Sequence, residues 1–424
     1  MEDSGQANSQ RLIPEDYGTW NAYWTVQGMP WRTEPEINAD RQRFLAERRA
    51  VKPDIARRIF PFRDENGSIK LTRADVEWLL ATHESCGLRG PVNVDDPGQW
   101  NREGLDVRGA DVSDADLHGL PLARLRGGIA GGEYQAAMEK QRQTAALCGP
   151  RVKLYSAHLE GSILTGAQLE GADFYEAHLE GADLFEARLV GADLQKAFFD
   201  TSSTLNRIIL VNSEDGVAPL LRDVHWDGVN LSGIRWSYVG VLGEECDAQQ
   251  RLTPEGKPKD AATRRVEYLR AVRSNRQLAA TLRSQGLTDD ADRFAYRAQV
   301  CQQQVLRYLG IQALPAYVGS LLLWALAGYG YRLWRILAAY GLVLAVFTLI
   351  YAALGVHSYR GESGVQALWD SFLVSLSAVH GRATFEQLGA WSVAAWAAAV
   401  QSVAGIVIEG VFVAMLVQRF FGSR

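Results

Sequence analysis

Between Val152 and Phe199 a large apolar residue returns at every fifth position: Leu154, Leu159, Leu164, Leu169, Phe174, Leu179, Leu184, Leu189, Leu194 and Phe199. Two positions before each stands a smaller one: Val152, Ala157, Ser162, Ala167, Ala172, Ala177, Ala182, Ala187, Ala192 and Ala197. A period of five fits neither a 3.6-residue helix nor a two-residue strand. It marks a solenoid, in which no unit can bury its apolar face alone and each stacks on the next. One unit makes one side of a coil; the large residue fills the centre and the small one fits the corner. The period also holds at Val107, Val112, Leu117 and Leu122, and again at Trp226, Leu231 and Trp236. Seventeen units are thus expected over residues 101–240, interrupted by a helical insert at 127–150 and a break at 201–221.

Other patterns flank the solenoid. Residues 1–100 read as an N-terminal cap segment with an aromatic stretch (Trp20, Tyr23, Trp24, Trp31) and two helices, one capped by Thr72. The tryptophans read as packing for a cap, with a ligand or partner site as the alternative. Residues 252–312 read as a helical hairpin connector whose first helix turns Val266, Leu269, Val272, Leu278 and Leu282 inward and ends at Gly286.

Residues 316–424 are of different material. Of the 44 basic and 49 acidic residues in the chain, only ten lie after Pro315. The uncharged run 336–356 is long enough to span a bilayer, as is 391–418. Residues 317–331 are too short to cross and suit a helix in the interface, and 366–379 are too short as well. Arg332 and Arg335 precede the first span, and Arg419 and Arg424 follow the second, so the positive-inside rule places both termini in the cytoplasm of a multi-pass cell-membrane protein. Gln401, Gly405, Glu409 and Val413 share one helical face of the second span. A polar stripe there is costly in lipid. Two readings follow: the stripe lines a pore, or Glu409 pairs with Arg332 or Arg335 as scaffold.

Two resemblances follow from these motifs. The A-D-L-x-x units resemble the pentapeptide-repeat family, which implies a right-handed quadrilateral β-helix and about four coils. Span, short re-entrant helix, span resembles the two-transmembrane pore module of tetrameric cation channels. In the re-entrant stretch those channels typically read V-T-L-T-T-V-G-Y-G. This chain reads Val374-Ser375-Leu376-Ser377-Ala378-Val379-His380-Gly381-Arg382. Ser375, Ser377, Ala378, Val379, His380, Gly381 and Arg382 are therefore the filter-like residues. His380 and Arg382 replace two glycines of the filter, which speaks against potassium selectivity. The fold class expected is multidomain: a pentapeptide-repeat β-helix, an α-helical hairpin and an α-helical two-span membrane domain with a re-entrant pore helix.

Composition narrows the function. Net charge is −5 and pI about 5.9, so no nucleic-acid partner is expected. Cys86, Cys148, Cys246 and Cys301 form no CxxC pair. The opening MEDSGQANSQ is polar, with no signal peptide expected. His83-Glu84 has no second histidine at zinc spacing, and the glycines at 127–132 lack a dinucleotide fingerprint. No nucleophile or phosphate loop is visible, so no enzyme and no cofactor are expected. The expected function is an ion-channel-like pore, as a homo-oligomer of four chains in membrane lipid. It passes an inorganic ion, with an unidentified ligand or protein on the β-helix. The alternatives are a membrane-anchored interaction scaffold with a closed pore and, more weakly, a topoisomerase inhibitor that mimics DNA with its outward acids. Over 151–200 these number nine against four bases.

Overall fold

A computed structural model describes residues 17–99, 101–211, 218–331, 333–356, 365–381 and 392–421. The chain forms two compact units, Met1–Ala298 and Gln299–Arg424.

The first unit is built on a β-helix of parallel single-residue bridges. One column runs Cys148, Gln168, Arg188, Ile209; another, two sides on, runs His158, His178, Phe198, His225. Within the regular block partners are twenty residues apart, four sides of five. Backbone bonds link coil to coil, as from Leu159 N to His178 O (2.8 Å). All ten central residues from Leu154 to Phe199 are at most 4% exposed, and the ten small ones are sealed completely. Each corner has its second turn residue at positive φ. Glycine takes it at Gly161, Gly166, Gly171, Gly181 and Gly191, and Ser156, Glu176, Glu186 and Lys196 accept the same left-handed backbone. Replacing Ala177 with leucine forces three extra carbons into a closed corner. We expect a loss of about 1–3 kcal/mol in a thermal melt; unchanged stability would mean the corner is open.

Both ends of the β-helix are closed. The N-terminal cap holds α1 (Trp20–Val26), α2 (Ala39–Arg49) and α3 (Arg73–Ala81). Its strand Gly67–Lys70 pairs in parallel with Ala110–Asp111 of the first coil, with Ile69 opposite Ala110. Helix α3, with a capping box between Thr72 and Asp75, lays Val76, Leu79 and Leu80 into the same core. The aromatic stretch packs on itself, with the Arg32 guanidinium 3.6 Å from the Trp24 ring and Trp24 Nε1 bonded to Glu34 O.

The helical insert is not continuous. It forms α4 (Gly131–Ala136) and α5 (Glu139–Ala145), separated by an extended Ala137. The break at 201–221 is largely filled: Thr204 bridges Asp183, Ile209 bridges Arg188 and Leu220 bridges Asp193, while Leu205, Ile208 and Leu210 enter the core. The columns continue across the added residues undisturbed. Of that break, 212–217 lie outside the described residues.

At the far end a short α6 (Gly243–Gln249) leads into α7 (Ala261–Ser284) and α8 (Thr288–Tyr308). The last two bring Leu278, Leu282, Ala291 and Phe294 against Leu231 and Trp236. Gln285 accepts from Leu231 N (2.9 Å) and donates to Val229 O (2.7 Å), standing in for a missing next coil. Val272, Leu278 and Leu282 are buried as expected, but Val266 and Leu269 are 47% and 42% exposed.

The second unit is helical. Among the described residues three helices are long and apolar enough to cross a membrane: Ile311–Gly330, Trp334–Ala353 and Val393–Val417. The first corrects the expectation that 317–331 is too short. Helix α9 (Leu314–Ala327) has Pro315 in its opening turn, and 3-10 turns on both sides bring the stretch to 20 residues. Gly328-Tyr329-Gly330 forms the closing turn, with Gly328 in the left-handed region at φ 52°. Then follow α10 (Leu333–Ala353), α11 (Val365–Val379) and α12 (Val393–Phe421). Helix α11 has 15 residues, about 22 Å at 1.5 Å each, against an apolar thickness of about 30 Å. It lies along both α10 and α12, with Tyr351, Ala378 and Ala398 buried together.

Candidate functional site

The expected site residues gather where α11 meets α12. Small side chains bring the two backbones together, as is usual between apolar helices. The closest approach is at Gly405, where an added Cβ would stand 1.9 Å from the Val379 carbonyl oxygen. Ser402 Oγ donates to Ala378 O (2.7 Å), and Ala378 and Val379 are sealed. Gly381 follows at φ 68°, its N–H bonded to Ala378 O (3.0 Å). Ser377 is exposed and donates back to Leu373 O (2.9 Å). Arg382 lies outside the described residues, as do Arg332, Arg360, Glu362 and Glu386.

Gln401 differs from its expected place. It is fully buried, donating to Ser375 Oγ (2.7 Å) and Ser375 O (3.0 Å) and accepting from the Tyr351 hydroxyl (2.8 Å). Ser375 donates in turn to Leu344 O (3.2 Å). The polar stripe therefore faces α10 and α11 of its own chain at Gln401 and Gly405, not an open axis. Unsatisfied polar atoms are costly in an apolar bundle, and a partner within the chain removes that cost. Farther along the stripe Glu409 and Val413 do reach the surface, at 48% for the Glu409 side chain and 56% for Val413. Glu409 Oε1 lies 2.5 Å from His380 Nδ1, and His380 Nε2 lies 3.2 Å from the Tyr340 hydroxyl. The acid's partner is thus the filter-like histidine. Arg335, one of the two arginines considered for it in the scaffold alternative, instead donates to Trp324 O (3.3 Å).

No motif in the sequence singles out Tyr340, Tyr351 or Ser402. Tyr340 and Tyr351 are eleven residues apart, three helical turns, and so share a face of α10; that spacing is the available signal. Chemically the cluster offers one carboxylate–imidazole pair that can hold or pass a proton at the helix surface, beside a sealed amide–hydroxyl network.

The first unit has its own polar cleft of about 550 Å³ between the α4–α5 insert and the β-helix, lined by Tyr134, Arg142, Glu186, Arg188, Arg207 and Arg235 among others. The Tyr134 hydroxyl donates to Glu186, and burial together with that carboxylate pushes its ionisation upward. The outward acids of the coils are mostly engaged. Asp173, Asp183 and Asp193 accept from the backbone N–H two residues on (2.9–3.0 Å). Glu170, Glu176 and Glu186 pair with Arg188, Lys196 and Arg207. Glu160 and Glu180 pair with histidines.

Known proteins meet this chain at the β-helix. The family model for pentapeptide repeats matches with eight copies over residues 153–189 and 162–200. A pentapeptide repeat protein, Rfr23, from the cyanobacterium Cyanothece 51142 is 25% identical over 29% of this chain and 85% of its own, at a TM-score of 0.16. HetL, a pentapeptide repeat protein involved in heterocyst differentiation regulation in Nostoc sp. strain PCC 7120, is 22% identical over 30% of this chain and 54% of its own, at 0.14. A pentapeptide repeat protein of the Arabidopsis thaliana thylakoid lumen is 21% identical over 30% of this chain and 82% of its own, at 0.12. No curated protein matches. The five-residue period, the twenty-residue columns and the family model agree, and residues 153–200 are a run of pentapeptide repeats.

Proposed function

We propose that this chain is an ion-channel-like membrane protein, assembled as a homotetramer, with the pentapeptide β-helix as a cytoplasmic sensing or binding domain. One observation carries the reading. Helix α11 is too short to cross and runs in the same direction as α12: Ser375 meets Gln401, Val379 meets Gly405 and His380 meets Glu409. It runs opposite to α10, where Leu344 meets Ser375 and Tyr340 meets His380. A helix that enters beside a span, stops partway and shares its direction is what a re-entrant pore helix requires. A plain anchor has no use for it. The half-exposed His380–Glu409 pair then marks the pore side of each chain.

The sealing of Gln401 and Gly405 favours a second reading, a scaffold whose channel-like fold is closed. The two separate in one series of experiments. The purified protein should run as a tetramer in detergent and pass ions in proteoliposomes. Glu409→Gln should change conductance or its pH dependence several-fold while the tetramer persists. A monomer ends the channel reading; a tetramer without flux leaves the scaffold.

A further inference from the structure

Two coils of the β-helix carry the same triplet twenty residues apart, His158-Leu159-Glu160 and His178-Leu179-Glu180. Because one coil is twenty residues, the triplets stack. The imidazoles of His158 and His178 lie 4.9 Å apart with planes 4° from parallel, and Glu160 and Glu180 follow two residues after each in successive coils. In each triplet the histidine Nδ1 meets its own glutamate Oε1, at 2.8 Å in the first and 3.2 Å in the second. The other carboxylate oxygens, Glu160 Oε2 and Glu180 Oε2, are removed from water and, among the described residues, have no hydrogen-bond partner. Nor does either glutamate have a lysine or arginine ion pair among those residues, unlike Glu170, Glu176 and Glu186 in the same coils. Asp95 adds further negative charge near His158.

Two stacked carboxylates with dry, unpaired oxygens are unfavourable unless a cation lies between them. Ligand atoms from Glu160, His178 and Glu180 already lie within 4.8 Å of one another. Two ligands on one zinc-sized ion stand about 4.2 Å apart at most, at roughly 2.1 Å each. A small rotation of the Glu180 and His178 side chains, about one-third exposed each, closes that gap. We propose that Glu160, His178 and Glu180 form a binding site for a divalent transition cation of the zinc or manganese kind. An imidazole beside two carboxylates suits these ions, whereas calcium and magnesium prefer oxygen alone. Three protein ligands leave positions open to water or to a group from a partner. The site is independent of the membrane helices and of their proposed role.

The test uses the full-length, tag-free protein in detergent, stripped with chelator and dialysed. Titration with zinc chloride should show one ion per chain by calorimetry, and manganese(II) should lose its free paramagnetic signal on binding. Calcium should not compete. Glu160→Gln, Glu180→Gln and His178→Ala should each weaken zinc binding at least tenfold, the scale on which even outer supports of a metal act. Glu170→Gln should leave it unchanged. The two glutamine variants keep shape, so they remain decisive if the alanine variant misfolds. Absence of binding overturns the proposal, as does zinc uptake that survives Glu160→Gln and Glu180→Gln, or that falls equally in Glu170→Gln.

Discussion

Gly405→Ala should part α11 from α12. The new Cβ would stand 1.9 Å from the Val379 carbonyl oxygen and 2.8 Å from its side chain, both inside contact distance. The first of these atoms is backbone and has no rotamer to turn away, so the helices must shift apart. That movement breaks the neighbouring bonds from Ser402 to Ala378 and from Gln401 to Ser375. Overpacking in a tight core costs about 1–3 kcal/mol. With the hydrogen bonds between helices added at about 0.6 kcal/mol each, the loss should reach roughly 3 kcal/mol. A thermal melt of the full-length protein in detergent reads it. Gly410→Ala, where nothing lies within 4 Å of the new Cβ, is the control and should be near neutral. Equal behaviour of the two would mean that α11 does not pack against α12.

Raising pH from about 4 to about 8 should weaken the β-helix end through Glu244, and Glu244→Gln should abolish that part of the loss. Glu244 lies in the first turn of α6 and is 4% exposed. Its Oε1 accepts from Leu221 N (2.8 Å), and the Ser274 hydroxyl and the Arg222 N–H lie beside the carboxylate without offsetting its burial. Burial dominates and raises its pKa from 4.5 to about 7. In the unfolded chain the carboxyl loses its proton near 4.5, whereas in the folded protein it holds it to about 7. Between those values the unfolded state binds fewer protons, so this contribution is full at low pH, falls as pH rises and levels off above the folded value. The shift corresponds to roughly 3 kcal/mol. The amide of the variant keeps the acceptor for Leu221 and has no charge to bury. Wild type and variant should melt alike at the acid end, with the variant ahead at the alkaline end. Parallel curves across that range would show that Glu244 ionises freely in the folded protein.

The two units differ in how much of them the sequence discloses. From Val152 to Phe199 every central and corner position follows from one period, because each side of the coil solves the same packing problem. Leu179 and Ala182 are buried for the same reason as Leu159 and Ser162 one coil earlier. Where residues are added, at Asp200–Thr204 or in the insert, the period breaks along the chain but the columns continue in space. Bridges join residues by position around the coil and not by count along the chain. The His158–His178 stack is hidden for a related reason: it shows only at a spacing of twenty, the product of the unit and the four sides. Among the apolar helices no such period exists. The face shared by Gln401, Gly405 and Glu409 is legible from their spacing of four, but not what lies against it. Tyr351 and Ser375, which satisfy Gln401, lie 50 and 26 residues away, and no local pattern joins them. A polar stripe on an apolar helix announces a partner without saying whether the partner is water, another chain or the same one.

The columns of the β-helix also separate length from direction. Lys70, Asp111, Cys148, Gln168, Arg188 and Ile209 stand in one file, although the steps between them range from 20 residues to 41. Inserts bulge from a corner and return to it, so they leave the file in phase. Gain or loss of a whole coil would change the rod by one strand spacing, about 4.8 Å, and leave every later side chain facing as before. Gain or loss of a single five-residue unit would swing all that follows through a quarter turn. The rod can therefore be lengthened or shortened like a ruler, with α7 carried along at a constant bearing, and it can be re-aimed only in quarter-turn steps.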